Sequence, residues 1–263
     1  MGYVAKPEDG VAWVTGASSG IGKGLAQALA REGFTVIATA RGQDKLAALA
    51  AEDFGKGSIV AMPGDVTDAA DLHRIVETID RDYARLALAV FNAGVYLPVH
   101  GNGLDTTDFQ KSFDVNLNGV VNGLVPAVAS MARNGKGQIA IVSSVTGFGG
   151  LPTSAAYGAT KAALTNLAES LKFDLDKMNI RLQIVHPGFV DTPATEKNEF
   201  AMPALMQVED AVARLVAGLK SDRFEIIFPR RFTFVLKCLR LLPYPAYFWA
   251  INRATGWRNR PLD

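Results

Sequence analysis

The stretch TGASSGIG, residues 15–22, decides how the chain reads. It closes the short apolar run 11–15 and leads into KGLAQALA at 23–30, a segment of helical composition. A glycine-rich turn between strand and helix is either a plain tight connection or a cradle. In the second case unpaired backbone N–H groups at the helix N-terminus receive a phosphate. Gly16, Gly20 and Gly22 permit a tight turn, close approach of backbone to an anion, and close helix packing. Ser18 and Ser19 add hydroxyl donors beside Ile21. A glycine pattern by itself is weak, so the rest of the chain has to decide.

Outward from this turn, short β-branched or apolar runs alternate with longer helical segments. Strands are expected at 11–15, 35–39, 59–63, 86–92, 138–143, 181–186 and 224–228, and helices at 21–32, 68–82, 109–133, 155–177 and 208–220. Parallel neighbours need crossover connections. The alternation therefore implies a Rossmann-type, doubly wound α/β fold, with a mainly parallel seven-stranded sheet and helices on both faces. With no Pro-, Gly- or Ser-rich linker and no fixed-period repeat, one domain is expected over 1–263. Its core covers about 10–228, and 229–263 forms a C-terminal helical extension.

Composition narrows the function classes. A formal net charge of +1 gives no electrostatic reason to expect nucleic acid as the main partner. Cys238 stands alone, and His73, His100 and His186 sit in no metal-binding spacing, so neither a disulfide framework nor a metal site is expected. Residues 1–10 carry Lys6, Glu8 and Asp9 and lack the apolar centre of a signal peptide. No run approaches the roughly 20 apolar residues of a spanning helix. A cytoplasmic protein, with at most peripheral membrane contact, is expected.

The second strand ends in Ala40-Arg41, where dinucleotide-binding folds commonly carry a carboxylate for the adenosine ribose 2′-hydroxyl. A guanidinium there suits a 2′-phosphate, with Lys23 adding positive potential, which favours NADP(H) over NAD(H). The plain alternative is an arginine facing solvent beyond a strand end.

Further motifs follow in order: Gly64-Asp65-Val66, Asn92-Ala93-Gly94, Asn116 within Asp114-Val115-Asn116, Ser144, Tyr157-Gly158-Ala159-Thr160-Lys161, and Pro187-Gly188. Together with residues 15–22 they make the chain resemble the short-chain dehydrogenase/reductase family from about 11 to 192. The resemblance implies that Asp65 and Val66 contact the adenine, and that Asn92, Ala93 and Gly94 lie beside the cofactor. It also implies that Pro187, Gly188, Val190 and Thr192 embrace the nicotinamide.

Tyr157 and Lys161 are four residues apart on an expected helix, so they project from one face on adjacent turns. An ammonium beside a phenol favours phenolate and should lower its pKa from about 10. Alone, such a pair reads as a packed tyrosine and a solvated lysine. Ser144, 13 positions before Tyr157, matches the family's substrate-orienting hydroxyl, with Ser143 the weaker candidate. By resemblance, hydride passes between NADP(H) and a carbonyl or secondary alcohol carbon while Tyr157 exchanges the proton on oxygen and Ser144 hydrogen-bonds that oxygen. Lys161 holds the nicotinamide ribose and tunes Tyr157, and Asn116 anchors a water linking Lys161 to solvent.

Residues 194–207 include Glu196, Lys197, Phe200, Met202, Pro203, Leu205 and Met206, and read equally as a mobile lid for an apolar substrate or as the cover of a core edge. Beyond 228, Arg230, Thr233, Lys237 and Arg240 fall on one stripe of an expected basic amphipathic helix. Phe232, Phe234, Val235, Leu236, Leu239, Leu241 and Leu242 cover much of the remainder. After Pro243-Tyr244-Pro245 come Tyr247, Phe248, Trp249 and Ile251. The 230–253 segment suits a partner subunit, an apolar substrate channel or an anionic membrane interface.

The reading is an NADP(H)-dependent oxidoreductase acting on a small carbonyl or alcohol with an apolar body, assembled as a homodimer or homotetramer. The alternatives are a non-catalytic dinucleotide-binding regulator and a peripheral membrane scaffold.

Overall fold

The computed structural model describes residues 2–83, 85–193, 195 and 202–261. Its strands are β1 (Val11–Thr15), β2 (Thr35–Thr39), β3 (Ser58–Ala61), β4 (Leu86–Phe91), β5 (Gly137–Val142), β6 (Ile180–Pro187) and β7 (Glu225–Phe228). They form one sheet in the order β3-β2-β1-β4-β5-β6-β7, and every pairing is parallel. β1, β4, β5 and β6 are buried along their whole length; β1 and β4 accordingly read in sequence as near-continuous apolar runs, whereas β5 and β6 also bury Gln138, Arg181, Gln183 and His186.

The crossovers divide two cores between the faces of the sheet. On one face α1 (Gly20–Arg31), α2 (Gln43–Ala50) and α7 (Val208–Leu219) contribute Leu25, Leu29, Leu46, Leu49 and Leu215. On the other, α3 (Ala69–Thr78), α5 (Gly119–Asn134) and α6 (Ala155–Lys177) contribute Leu72, Ile75, Leu124 and Leu164, packed around Trp13 and Phe91. Trp13 and Phe91 meet edge to face at 5.6 Å, and the Trp13 indole N–H donates to Thr39 Oγ1 at 3.0 Å. Strand order reverses between β1 and β4, the switch point at whose carboxyl ends open α/β sheets carry a crevice.

Three expectations need correction. α2 was not expected, because its eight residues bury only Leu46 and Leu49, too few to display a helical period. The helix expected over 109–133 is broken: α4 (Thr106–Phe113) and α5 are joined by a π-helical turn over Asp114–Asn118. The run Thr106–Asn134 is also long and apolar enough in composition to cross a bilayer, contrary to the reading that no stretch approaches that length. Half of its most apolar window is packed inside the protein, as in a core helix.

The connection after β6 is described only in part, and Ala194, Glu196, Lys197 and Phe200 of the lid reading lie outside the described residues. At its far end Met206 is buried in the core and bridges Val190, so that end covers a core edge.

The tail forms α8 (Arg230–Arg240) and α9 (Tyr244–Thr255), separated at Pro243. The stripe of Arg230, Thr233, Lys237 and Arg240 is turned inward in part. Thr233 is fully buried, and the Lys237 ammonium pairs with Glu225 of β7, while Phe234 and Val235 face solvent. An ion pair with the edge strand and the packing of Phe232 against Phe189 set this rotation.

Candidate active site

The crevice at the carboxyl edge of the sheet is a cleft of about 920 Å³. Its lining includes Gly16, Ser18, Ser19, Gly20, Ile21, Arg41, Asp65, Val66, Asn92, Ala93, Gly94, Ser144, Tyr157, Lys161, Pro187, Gly188, Val190 and Thr192. Residues chosen from seven separate stretches of sequence therefore meet in one place. Gly22 and Asn116 do not line it and support it from behind.

The glycine turn is built for close approach. Gly16 has φ +68°, and a Cβ there would lie 2.8 Å from Ala93 Cα. A Cβ on Gly22 would lie 2.2 Å from Gly16 O, so this glycine lets α1 pack against the turn. Thr15 fastens the turn to the end of β4: its Oγ1 accepts from the Asn92 and Ala93 backbone N–H groups at 3.0 and 3.2 Å, and its carbonyl accepts from Asn92 Nδ2 at 3.2 Å. Ser19 precedes α1 without capping it, and the first turn of α1 holds no acidic residue. The helix N-terminus thus keeps its amide donors and its positive end for an anion.

At the end of the cleft beside β2, Arg41 is exposed and has no ion pair or hydrogen bond among the described residues. Lys23 does not join it. It is outside the cleft lining and lies 3.8 Å from Glu52. The second cation at this end of the cleft is Lys45, which lines it with Gln43 and Asp44 from the first turn of the unexpected α2. The Arg-x-x-x-Lys spacing from Arg41 to Lys45 was the signal available in the sequence. Asp65 stays in the lining while its Oδ1 accepts from Thr67 N at 3.0 Å.

At the other end, α6 presents Tyr157 and Lys161 one turn apart. Lys161 is 3% exposed; its Nζ donates to Val142 O at 2.8 Å and lies 5.4 Å from the centre of the Tyr157 ring. Burial lowers the ammonium to about 8. The phenol moves against expectation. Burial pushes it up to about 12, and the hydrogen bond with Ser144 offsets this only in part. Tyr96, not foreseen from sequence, stands edge to face on Tyr157 at 5.3 Å and hydrogen-bonds Thr153 through its hydroxyl at 2.8 Å. Ser143 is turned away from this group, donating to the Lys161 carbonyl at 2.8 Å.

Asn116 sits in the π-helical turn and is fully buried. Its Oδ1 accepts from Val95 N at 2.7 Å and its Nδ2 donates to Val95 O at 2.9 Å, which fixes the chain just after Gly94. A Cβ on Gly94 would lie 3.2 Å from Asn116 Oδ1 and 3.7 Å from Lys161 Nζ, so both polar atoms look onto the same bare stretch of backbone. Behind Lys161, Thr165 Oγ1 contacts His186 Nε2 at 3.0 Å, and His186 Nδ1 lies 3.0 Å from Glu225 Oε1.

An uncapped helix N-terminus, glycine backbone bare enough for a flat ligand and a buried ammonium at the far end fit a dinucleotide. Fold and site thus define a Rossmann protein of the nicotinamide-nucleotide class. Residues 10–202 match the family model described as short chain dehydrogenase. The chain belongs to this family of oxidoreductases, which use NAD(P)(H). It is 37% identical over 244 residues to an uncharacterized oxidoreductase of Myxococcus xanthus, covering 92% of this chain and 96% of that protein. It is 36% identical over 191 residues to a 3-oxoacyl-[acyl-carrier-protein] reductase of Thermotoga maritima, covering 72% and 78%. A solved short-chain type dehydrogenase/reductase from Mycobacterium ulcerans aligns with a TM-score of 0.76 at 28% identity, covering 86% of this chain and 89% of that one.

Proposed function

We propose that this oxidoreductase prefers NADP(H) and interconverts a carbonyl and a secondary alcohol on an apolar substrate, with Tyr157 as general acid and base. The observation that carries the reading is the cluster of Ser144, Tyr157 and Lys161 at one end of a cleft whose other end holds Arg41 and Lys45. The α1 N-terminus would hold the pyrophosphate, Arg41 and Lys45 a 2′-phosphate, Asp65 and Val66 the adenine, and Pro187, Gly188, Val190 and Thr192 the nicotinamide.

When bound, the nicotinamide supplies or accepts the hydride. In reduction, Tyr157 gives its phenolic proton to the substrate oxygen as the C–H bond forms, and Ser144 donates a hydrogen bond to that oxygen. A phenol pushed up to about 12 is neutral at ordinary pH and ready to donate. Lys161 stabilises the phenolate left behind and binds ribose hydroxyls. Asn116, locked on Val95, holds the water through which Lys161 exchanges protons with solvent. An apolar body agrees with the Tyr96 ring beside Tyr157 and with the 3-oxoacyl substrate in the name of the Thermotoga relative.

Fluorescence titration with NADPH and NADH, followed by a panel of 3-oxoacyl thioesters and apolar ketones, tests this. Tighter NADPH binding with consumption of NADPH is expected. Equal affinity for the two nucleotides would overturn the phosphate assignment, and the absence of both NADPH consumption with any carbonyl and NADPH formation from NADP+ with the matching alcohols would overturn the reaction. The reading extends to a homo-oligomer through the long helices, supported by Val125 of α5 at 63% exposed and Phe173 of α6 at 75%. Phe173→Glu should shift the chain to monomer in sedimentation velocity; an unchanged assembly, or a monomeric parent, would sink that extension.

A further inference from the structure

We propose that α8 and α9 form a docking surface for an anionic lipid bilayer. The rotation of α8 supports it first. With Thr233 and Lys237 turned inward, Phe234 and Val235 are exposed on α8 behind Arg230 and Arg231 of its first turn, and Leu241 and Leu242 are exposed in the turn that follows. Leu241 is 85% exposed and Phe234 66%. α9 continues the pattern with Tyr244, Phe248 and Trp249 exposed ahead of Arg253. Scattered apolar residues are ordinary on a surface, but seven large ones on two consecutive helices and the turn between them are a patch that needs a partner.

Charge selects the partner. Residues 229–262 hold Arg230, Arg231, Lys237, Arg240, Arg253, Arg258 and Arg260 and no Asp or Glu. Lys237 is spent on Glu225, whereas the six arginines are exposed and have no carboxylate partner among the described residues. Arg240 lies over the Tyr244 ring at 5.5 Å and Arg260 over the Trp257 ring at 5.9 Å. The tail is a positive pole on a chain whose remainder is net negative. A two-fold contact through this face would set the arginines of one copy against those of the other. An anionic bilayer offers opposite charge at its surface and apolar depth beneath it. Tyr and Trp suit the boundary between them.

The tail also sits where docking would matter. Phe232 packs on Phe189 after β6, the Tyr247 hydroxyl donates to Gly150 O at 2.8 Å in the loop after β5, and the Trp257 ring stands 6.1 Å from His100 in the loop after β4. These loops extend from the strand ends that carry the cleft. A docked bilayer would thus lie beside the catalytic end, and a carbonyl compound dissolved in lipid would reach it without crossing bulk water. That delivery step rests on the proposed reaction; docking itself does not.

The test uses the full chain without nucleotide or substrate, so that its outcome is separate from that of the enzyme assay. The protein is co-sedimented with vesicles of phosphatidylcholine and with vesicles containing phosphatidylglycerol. Binding to the second only is expected, weakened by salt, with a blue shift in tryptophan emission that Trp249→Phe removes. Replacing Arg230 and Arg231 by Ser should lower partitioning roughly fivefold per charge. Phe234→Ser with Trp249→Ser should abolish it at an unchanged thermal midpoint. The proposal fails if the parent protein stays in the supernatant with phosphatidylglycerol vesicles, or if neither double variant changes partitioning. It also fails if the patch instead mediates self-association that Phe234→Ser with Trp249→Ser dissolves.

Discussion

The Lys161 ammonium lies 5.4 Å from the centre of the Tyr157 ring while donating to Val142 O at 2.8 Å. One helical turn separates the two residues, so α6 alone fixes their spacing. The same burial acts on both: it lowers Lys161 to about 8 and raises Tyr157 to about 12. Each is thereby moved toward its neutral form, and the nucleotide-free site disfavours charge at both positions.

This predicts a stability effect with a definite pH window. Lys161 folds with a value near 8 against the ordinary lysine value of 10.5, so between these values the unfolded chain binds more protons and stability rises with pH. Below about pH 8 the cost of the buried charge is fully present, of order 3 kcal/mol. Losing the bond to Val142 O returns about 1 kcal/mol of that. Without nucleotide, Lys161→Met should therefore raise the urea midpoint at pH 7, with the gain shrinking toward pH 10. A destabilised variant at pH 7 would contradict the burial argument.

Arg41→Ala should weaken NADPH binding roughly ten- to hundredfold and leave NADH binding nearly unchanged, as expected for loss of charged hydrogen bonds to one phosphate. Lys45→Ala should act in the same direction and less strongly. Lys23→Ala should change neither affinity, because Lys23 lies outside the cleft and near Glu52. Calorimetric titration with both nucleotides distinguishes these outcomes.

Glu225 fastens the tail to the sheet. Burial pushes its carboxyl up, but hydrogen bonds with His186 and Lys237 outweigh that and hold it below the usual range. A depressed carboxylate contributes stability above its unfolded value and loses it as pH falls through the folded one. Glu225→Gln should cost about 1–3 kcal/mol near neutrality. The gap from the parent protein should close in acid, as pH falls through the depressed value of Glu225. Thermal melts across pH would show it, and a gap that widens in acid would contradict the assignment.

The sheet was legible because short β-branched or apolar runs alternate with longer helical segments; β1 and β4 are near-continuous apolar and buried throughout. The site was legible because its motifs follow the strand ends in order. Other features depend on contacts made across the chain. The inward turn of Lys237 is set by Glu225 on the neighbouring strand and by Phe189, neither of which helical periodicity can register. The break at Asn116 follows from the π-helical turn and its two bonds to Val95. Tyr96 meets the Tyr157 ring while its hydroxyl bonds Thr153, contacts made between residues far apart in sequence. The direction of the Tyr157 shift depends on burial, which residue spacing does not encode.

Tyr157→Phe removes one oxygen and leaves the rest of the cleft lining in place, so it tests the central claim most directly. NADPH affinity and NADPH consumption would be measured for parent and variant with the same carbonyl substrate. The account predicts unchanged affinity and a turnover loss of about 10²–10⁴-fold. A variant that binds NADPH and reduces the substrate as fast as the parent would contradict it.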